Sequence, residues 1–383
     1  MNYGKESLKK HQQTGGKLEI KSKFPLKNKT DLSIAYTPGV AQPCLEIARN
    51  LKDAYKYTIK KNSVAVVTNG TAVLGLGNIG AQAALPVMEG KAVLFKHFGN
   101  VDAYPICIDS QDKEEIIRTV KLIASGFGGI NLEDIKAPEC FEIEERLDKE
   151  LDIPVFHDDQ HGTAIVVLAA LINALKVVKK KIGQVKILVS GAGAAGIAVT
   201  KLLLVYGVKN IVLIDSVGTI YQGREGLNPY KKEIAQLTNK NKLRGRIEHV
   251  IEGTDVFIGI SVANVLKRDW AKMMAKDSII FALANPNPEI IPADAKKAGA
   301  RIIATGRSDY PNQINNVLAF PGVFRGLLDS RAKRVTNKMK IAAAEGLAAF
   351  VKKPTANKII PGPFEKGVAG KIAQSIIKIA KKK

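Results

Sequence analysis

The chain has 383 residues, of which 46% are apolar and 25% charged, and its net charge is +22. This length exceeds what one ordinary hydrophobic core serves, so we expect two domains. The cysteines, Cys44, Cys107 and Cys140, lie far apart, which excludes a disulfide framework and is typical of a reducing compartment. The polar start, residues 1–10, is unlike a signal peptide, and the longest apolar run, residues 164–175, is too short to span a bilayer. We therefore expect a cytoplasmic protein with no membrane segment, in which that run is a buried helix.

The positive charge raises the question of a nucleic-acid partner. Lysine outnumbers arginine 46 to 12, and the lysines are spread along the chain instead of forming one stripe. Clusters such as Lys179–Lys181 and Lys381–Lys383 have no aromatic residues between them. Solvated surface lysines explain this pattern, so we expect no nucleic-acid partner.

The first half of the chain alternates apolar runs with glycine turns. Residues 63–68 predict a buried strand, and residues 90–96 predict another. The turn at residues 75–80 has the GxGxxG spacing of a dinucleotide fingerprint, but the helix after it would be short and would contain Pro86. We therefore interpret this turn as a backbone turn that lines a site, and not as the main cofactor loop.

Two single residues of this half, Tyr36 and Lys91, are explained by ordinary structural roles when the sequence alone is considered. Tyr36 would lie in the loop before a helix that Pro38 can open, as a half-buried aromatic residue. Lys91 would begin the predicted strand at residues 90–96 as an edge lysine that reaches water, although partial desolvation would lower its pKa toward the range of a base.

Two pairs of acidic residues follow strand-like runs. Glu133 and Asp134 end one run, and Asp158 and Asp159 directly follow another. Because ligands bind at the carboxyl ends of parallel strands, carboxylates brought together there would suit Mg²⁺ or Mn²⁺. The two histidines that flank the second pair make zinc an alternative, but no cysteine or third histidine lies nearby. A single pair would be explained by helix capping, whereas two pairs favour a metal site.

The second half contains a complete βαβ unit, in which a strand leads into a glycine-rich turn and a helix, and the next strand ends at Asp215. This context predicts a dinucleotide site made of Asp215 and the turn residues Gly191, Ala192, Gly193, Ala194, Ala195 and Gly196. Further strands at 256–260, 279–284 and 301–304 predict a doubly wound sheet.

The predicted fold class is α/β, with the domain boundary between residues 156 and 157. Residues 1–156 would form an α/β catalytic domain. Residues 157–383 would form a Rossmann-type dinucleotide-binding domain with C-terminal helices.

A dinucleotide together with a divalent cation suggests oxidation of a hydroxy acid followed by loss of a carboxylate, because a cation on the keto acid acts as an electron sink. One alternative is a hydroxy-acid or amino-acid dehydrogenase without decarboxylation. Another is a catalytically silent Rossmann protein that binds nucleic acid through its charge.

From about residue 31 to the C-terminal helices, the sequence resembles the malic enzymes of the short bacterial type. The motifs that carry the resemblance are YTPGVA, TAVLGLGNIG, EGKAVLFK, FGGINLEDI, PVFHDDQHGTA, SGAGAAG, FALANPNPE and ATGRSDYPNQINNVLAFPG. The resemblance implies a homodimer that oxidatively decarboxylates (S)-malate to pyruvate and CO₂, reduces NAD(P)⁺, depends on a divalent metal and also decarboxylates oxaloacetate. One departure is Ala72, which stands where large-subunit relatives carry a substrate-binding arginine.

The resemblance also implies roles for single residues. Lys91 would take the proton from the malate 2-hydroxyl, Tyr36 would protonate C3 of enolpyruvate, and Asp158 would pair with Lys91. The binding roles fall to the metal ligands Glu133, Asp134 and Asp159 and to the substrate and nicotinamide contacts Asn285 and Asn315.

The choice between NAD⁺ and NADP⁺ depends on Asp215. Its carboxylate could accept hydrogen bonds from the ribose hydroxyls and would repel a 2′-phosphate. No basic residue directly follows it, and Arg224 is the nearest cation in sequence. We therefore expect NAD⁺ to be preferred and NADP⁺ to be tolerated.

Overall fold

Two parallel β-sheets, one in each half of the chain, organise the computed structural model, which describes residues 3–73 and 75–382. The strands are β1 (Ser63–Thr68), β2 (Asp102–Cys107), β3 (Gly129–Leu132), β4 (Val155–His157), β5 (Lys186–Ser190), β6 (Asn210–Ile214), β7 (Val256–Gly259), β8 (Ile279–Ala282) and β9 (Ile302–Thr305). The first sheet has the order β2-β1-β3-β4 and the second the order β6-β5-β7-β8-β9.

Helices cover both sheets and form the two ends of the described chain. They are α1 (Tyr3–Thr14), α2 (Lys29–Ala35), α3 (Ala41–Arg49), α4 (Ala54–Tyr57), α5 (Ala81–Gly99), α6 (Lys113–Ile123), α7 (Glu139–Glu150), α8 (Asp158–Val178), α9 (Ala194–Tyr206), α10 (Pro229–Leu237), α11 (Ile247–Val250), α12 (Arg268–Ala271), α13 (Pro292–Lys297), α14 (Phe320–Ser330), α15 (Asn337–Phe350) and α16 (Val368–Ala380). The alternation of strands and helices with all-parallel pairing confirms the predicted α/β class.

The strand predicted at residues 90–96 is wrong, because these residues belong to α5. The buried positions of α5 include Met88, Ala92, Phe95 and Gly99, which recur at helical spacing. The run is apolar on several faces because α5 packs against β1, β2 and α14, so the helical period was hidden. The strand that follows β1 along the chain is instead β2, which begins at Asp102.

The second sheet follows the prediction closely. Its last three strands lie within two residues of their predicted bounds, and β5, α9 and β6 form the predicted βαβ unit. Gly196 shows why the turn is rich in glycine, since a Cβ atom there would lie 1.8 Å from the carbonyl oxygen of Gly191. Only glycine lets α9 start this close to the strand.

Helix α8 is the central helix of the core. By length and composition it could cross a membrane, but 67% of its most apolar window is buried inside the protein, where it packs against α9 and α15. The expected buried helix at residues 164–175 is therefore confirmed. Its fully buried Asn173 donates hydrogen bonds to the carbonyl oxygens of Ala348 (2.8 Å) and Ile359 (2.9 Å), which attaches the C-terminal helices to α8.

The N-terminal segment, residues 3–50, packs very differently. None of the residues of α1, α2 or α3 is buried. Large apolar side chains face solvent along it, including Ile20 (97% exposed), Phe24, Leu26, Leu32, Ile34, Tyr36 and Leu45. On the neighbouring helix α5, Leu85, Val87 and Val93 are exposed as well. Such a large apolar surface is uncommon on a monomer and marks an interaction site.

Replacing Asn173 with alanine should lower the free energy of unfolding by about 2 kcal/mol or more, because two buried carbonyl groups would lose their donor. Urea denaturation measures the change, with Asn241→Ala at an exposed site as the control. Equal unfolding midpoints for the two variants would contradict this role of Asn173.

Candidate active site

The carboxyl ends of β3 and β4 bring the two acidic pairs together. Glu133 and Asp134 follow β3, and Asp158 and Asp159 open α8 directly after β4. These strands are neighbours, with Leu132 opposite His157. As a result, one carboxylate oxygen from each of Glu133, Asp134 and Asp159 lies within 4.8 Å of the others.

The local geometry of this acid cluster fits a divalent cation. Asp134 has a left-handed backbone (φ 53°), and its N–H donates to Asp159 Oδ2 at 2.9 Å. One carboxylate oxygen of Asp134 is buried without a hydrogen-bond partner among the described residues. Burial, together with the negative charges of Asp159 and Glu133, raises the pKa of Asp134 to about 9. Three acids with hard oxygen donors and an unsatisfied buried oxygen are the donor set that Mg²⁺ or Mn²⁺ requires.

Lys91 of α5 lies against this cluster and is only 8% exposed. Its Nζ lies 2.6 Å from Asp158 Oδ2, 2.8 Å from Glu133 Oε1 and 4.3 Å from the centre of the Phe320 ring. Burial lowers the pKa of Lys91, but the carboxylates of Asp158 and Glu133 outweigh burial and raise it. The expected edge lysine that reaches water is therefore wrong, and the lowering of the pKa that desolvation alone would produce is outweighed, because the sequence did not show how many acids surround the amine. A cation held by Glu133 would offset part of that negative charge.

Asp158 is fully buried and holds the lysine in place. Its Oδ2 also accepts a hydrogen bond from Asn316 Nδ2 at 2.6 Å. Gly162, one turn along α8, leaves the space for this carboxylate, since a Cβ atom there would lie 1.8 Å from Asp158 Oδ1. The side chain of Asn315, the predicted substrate contact, instead accepts from the N–H of Val317 in its own turn. The resemblance assigned a role to Asn315 and none to the adjacent Asn316.

Glu144 of α7 anchors the segment that carries Asp158 and Asp159. Its Oε1 accepts from the N–H of His157 at 2.8 Å, and its Oε2 accepts from Gln160 Nε2 at 3.0 Å and contacts His161 Nε2 at 2.9 Å. Burial alone would raise the pKa of Glu144, but His161 and Lys340 lower it to about 2. No sequence pattern indicates this role, because Glu144 is one of several acids in an amphipathic helix.

Both ring nitrogens of His161 have partners within the chain. Its Nε2 faces Glu144, and its Nδ1 lies 3.0 Å from Lys340 Nζ. Neither nitrogen is therefore free to ligate a metal beside Asp159. These contacts exclude His161 as a zinc ligand, whereas they do not involve His157, whose Nδ1 lies 3.8 Å from Asp159 Oδ2.

Tyr36 is not brought to this cluster within the chain. It caps the C-terminus of α2 and is 67% exposed. In residues 3–73 and 75–382, no hydrogen bond or ion pair joins its side chain to Lys91 or to the acids. The fold therefore unites every predicted residue of the metal and base site except the tyrosine.

The glycine turn between β5 and α9 forms an open cradle. Gly191 has φ 111°, and a Cβ atom there would lie 2.2 Å from the carbonyl oxygen of Ile260. Gly193 begins α9 with no side-chain cap and with open space at its Cβ position, and Ala192, Ala194 and Ala195 are only partly buried. Uncapped N–H groups at the start of a helix bind phosphate, so the turn fits the pyrophosphate of a dinucleotide.

Asp215 ends β6 as predicted, but its carboxylate is neutralised and only 7% exposed. Arg224 donates to both of its oxygens (3.0 and 2.5 Å), and Lys231 Nζ lies 2.6 Å from Oδ2. Although burial raises the pKa of Asp215, these cations hold it far below its usual range. The expectation of an open carboxylate facing the ribose is therefore corrected. Arg224 was identified from the sequence, whereas Lys231 was missed because its helix brings it back from 16 residues away.

The Gly75 turn connects the two halves of the site. The N–H of Ala72 donates to the carbonyl oxygen of Asp134 at 2.9 Å. A Cβ atom on Gly75 would lie 3.5 Å from both the carbonyl oxygen of Asn285 and the ring of Pro286. This contact supports the interpretation of the turn as a lining of the site, next to the loop that carries Asn285.

Comparison with known proteins matches residues 15–118 to the malic enzyme N-terminal domain and residues 160–381 to the malic enzyme NAD binding domain. A bifunctional malic/malolactic enzyme of Bacillus subtilis is 57% identical over 99% of this chain and 93% of its own length. An NAD-dependent malic enzyme of Geobacillus stearothermophilus is 57% identical over 96% of this chain and 77% of its own length. A malic enzyme structure from Pyrococcus horikoshii superposes with a TM-score of 0.95, 48% identity and coverage of 98% and 91% of the two chains. The chain therefore belongs to the malic enzyme family, and its reaction is the oxidative decarboxylation of malate to pyruvate and CO₂ with reduction of NAD⁺ or NADP⁺.

Proposed function

We propose that this reaction depends on Mg²⁺ or Mn²⁺ held by Glu133, Asp134 and Asp159. The observation that carries the proposal is the convergence of these carboxylates beside a buried lysine at the end of a parallel sheet. When bound, the cation would supply a Lewis acid for the decarboxylation of oxaloacetate, which we also propose as a substrate.

Lys91 is the proposed general base. The surrounding carboxylates keep Lys91 protonated, so a bound cation would first have to offset their charge and let the ammonium group lose its proton to solvent. The neutral amine would then take the proton from the malate 2-hydroxyl while hydride leaves C2 for the nicotinamide. Asp158 orients the amine, and Asn316 orients Asp158 by donating to the same carboxylate oxygen that faces Lys91. Asn285 and Asn315 are the proposed contacts to substrate and nicotinamide.

A homodimer completes the proposed site. Tyr36, the proposed acid for C3 of enolpyruvate, is exposed in a segment whose apolar side chains have no core of their own. The exposed apolar face of α5, the helix of Lys91, is a surface on which such a segment can dock. We therefore propose that each site receives Tyr36 from the partner subunit.

The proposed cofactors are NAD⁺ and NADP⁺. Asp215 contributes one negative charge, whereas Arg224 and Lys231 contribute two positive charges beside it. A 2′-phosphate would therefore meet a net positive environment, which favours the use of NADP⁺ beside NAD⁺. The preference for NAD⁺ stays a prediction.

Two further assignments stay proposals. A cytoplasmic location is supported by three cysteines that are all free. The predicted domain boundary between residues 156 and 157 falls inside β4 (Val155–His157), and the two family matches place the change of domain between residues 118 and 160.

Asp159→Ala should lose Mn²⁺ binding, malate oxidation and oxaloacetate decarboxylation together. In the wild-type chain, Mn²⁺ binding should release protons and strengthen as the pH rises toward 9, because Asp134 is protonated below its raised pKa of about 9. Paramagnetic resonance titrations at several pH values measure the affinity. Full oxaloacetate decarboxylation by Asp159→Ala at ordinary Mg²⁺ would contradict the metal assignment.

The shared site can be tested by subunit mixing. Lys91→Ala alone should lose about 10²–10⁴-fold of malate oxidation. Tyr36→Phe alone should slow hydrogen exchange from solvent into C3 of pyruvate. In a heterodimer of the two variants, a partner-supplied tyrosine leaves one site with both Lys91 and Tyr36, so a random mixture should recover about a quarter of the wild-type rate of enzyme-catalysed hydrogen incorporation at C3 of the pyruvate formed from malate, which needs both side chains in one site. Recovery of no activity above that of the parent variants would show that Tyr36 serves its own chain.

The cofactor proposal predicts that Lys231→Ala lowers kcat/KM for NADP⁺ by about tenfold and changes that for NAD⁺ much less. Asp215→Ser should shift the ratio toward NADP⁺. Steady-state kinetics with both cofactors measure the ratio, with Lys232→Ala, the adjacent exposed lysine, as the control. An unchanged ratio in Lys231→Ala would remove this residue from the 2′-phosphate site.

A further inference from the structure

Another buried carboxylate, that of Glu289, lies beside the strand ends of the dinucleotide-binding half of the site. Glu289 is in the loop between β8 and α13 and has no solvent exposure. In the described part of the chain, no lysine, arginine or histidine forms an ion pair with it. A buried charge without a counter-charge is costly, so its hydrogen bonds must stabilise it.

The donors to Glu289 come from two loops that follow neighbouring strands. Its Oε1 accepts from the N–H of Ser261 at 2.8 Å, directly after β7 and Ile260. Its Oε2 accepts from the N–H of Ala284 at 3.0 Å, directly before Asn285. Each oxygen therefore fixes one loop at the edge of the sheet where the cofactor binds.

The first of these loops also touches the glycine cradle. Ser261 Oγ lies 3.1 Å from Ser190 Oγ, at the end of β5. A Cβ atom on Gly191 would lie 3.2 Å from that of Ser261. The position of Ser261 thus limits where the backbone of the cradle can lie.

The sheet is built to admit this carboxylate. Gly259, the last residue of β7, lies beside it, and a Cβ atom there would be only 2.4 Å from Glu289 Cδ. The side-chain position of Gly259 is therefore filled by the glutamate of another loop. An acid that only capped a loop would not need a glycine in the neighbouring strand to make room for it.

We infer that Glu289 is a positioning residue for the dinucleotide site, because its buried carboxylate holds the loops after β7 and β8 in the geometry that the cofactor needs. Both of its oxygens face N–H donors, so a glutamine would direct its NH₂ group at one of those donors. The inference rests on the dinucleotide-binding role of this domain and is independent of the metal, the base and Tyr36.

The test is NADH binding by the purified full-length chain, followed by fluorescence, together with Mn²⁺ binding by paramagnetic resonance. Glu289→Gln should raise the Kd for NADH by about tenfold or more, since a buried donor loses its acceptor. The Kd for Mn²⁺ should stay within about twofold of wild type, because the hydrogen bonds of Glu289 in the described part of the chain go to Ser261 and Ala284 and not to the acid cluster. In turnover, the KM for the dinucleotide should rise more than the KM for malate.

The matched control is Asp255→Asn. Asp255 directly precedes β7, at the end of that strand opposite Gly259. Asp255 also accepts from a backbone N–H, that of Lys186 at 2.8 Å, and pairs with Lys180 at 2.7 Å. This variant should lose stability but bind NADH with wild-type affinity. An equal loss of NADH affinity in both variants would show general destabilisation and overturn the inference.

Gly259→Ala is a second test variant, in which Glu289 itself is unchanged. Its Cβ atom would displace the carboxylate from its donors, so NADH binding should weaken as in Glu289→Gln. This variant carries the test if Glu289→Gln does not fold. Wild-type NADH affinity in the folded variants would overturn the positioning role, whereas absent malate turnover by the wild-type chain would count against the proposed function alone.

Discussion

The buried ammonium group of Lys91 is the contact on which the catalytic half depends. It joins α5 to the end of β3 through Glu133 and to the start of α8 through Asp158. The charge can remain buried only because these carboxylates surround it. The carboxylates, in turn, can lie this close together because Lys91 offsets part of their repulsion and because the raised pKa of Asp134, about 9, keeps that side chain protonated. The buried oxygen of Asp134 that has no partner among the described residues is where the proposed cation would offset the remainder.

Buried carboxylates position the other functional segments as well, but with different counter-charges. Glu144 fixes the start of α8 and has Lys340 as its counter-charge, with the ring of His161, whose pKa is lowered by burial, between them. Asp215 is balanced by Arg224 and Lys231, which leaves that corner of the cofactor site with a net positive charge. Glu289 has only N–H and O–H donors. The position of Glu289 therefore depends more than that of Glu144 or Asp215 on the loops whose groups donate to it. The positions of these loops depend on Glu289 in turn.

The sequence located the strand ends and the glycine cradle because both follow from local patterns. It placed Lys91 in a strand, since α5 is covered on several faces and its apolar residues hide the helical period. Partners distant in the chain could not be found in this way. Asn316 reaches Asp158 across 158 residues, and Glu144 reaches His157 from a separate helix. Neither spacing nor composition records such contacts, which arise only when the sheet orders its strands.

In the proposed homodimer, the position of Tyr36 would make protonation of C3 depend on contact between the two subunits. A single chain contains the lysine and the acids for oxidation, but the tyrosine lies on a segment without buried residues. Full burial of a large apolar side chain stabilises a protein by about 1.5–3 kcal/mol, so the exposed leucine, isoleucine and phenylalanine residues of this segment represent stabilisation that one chain leaves unrealised. A second copy could bury them against the exposed face of α5, the helix that carries Lys91. The contact that stabilises such a dimer would then be the same contact that delivers the tyrosine, so proton return to C3 would require assembly whereas hydride removal from C2 would not.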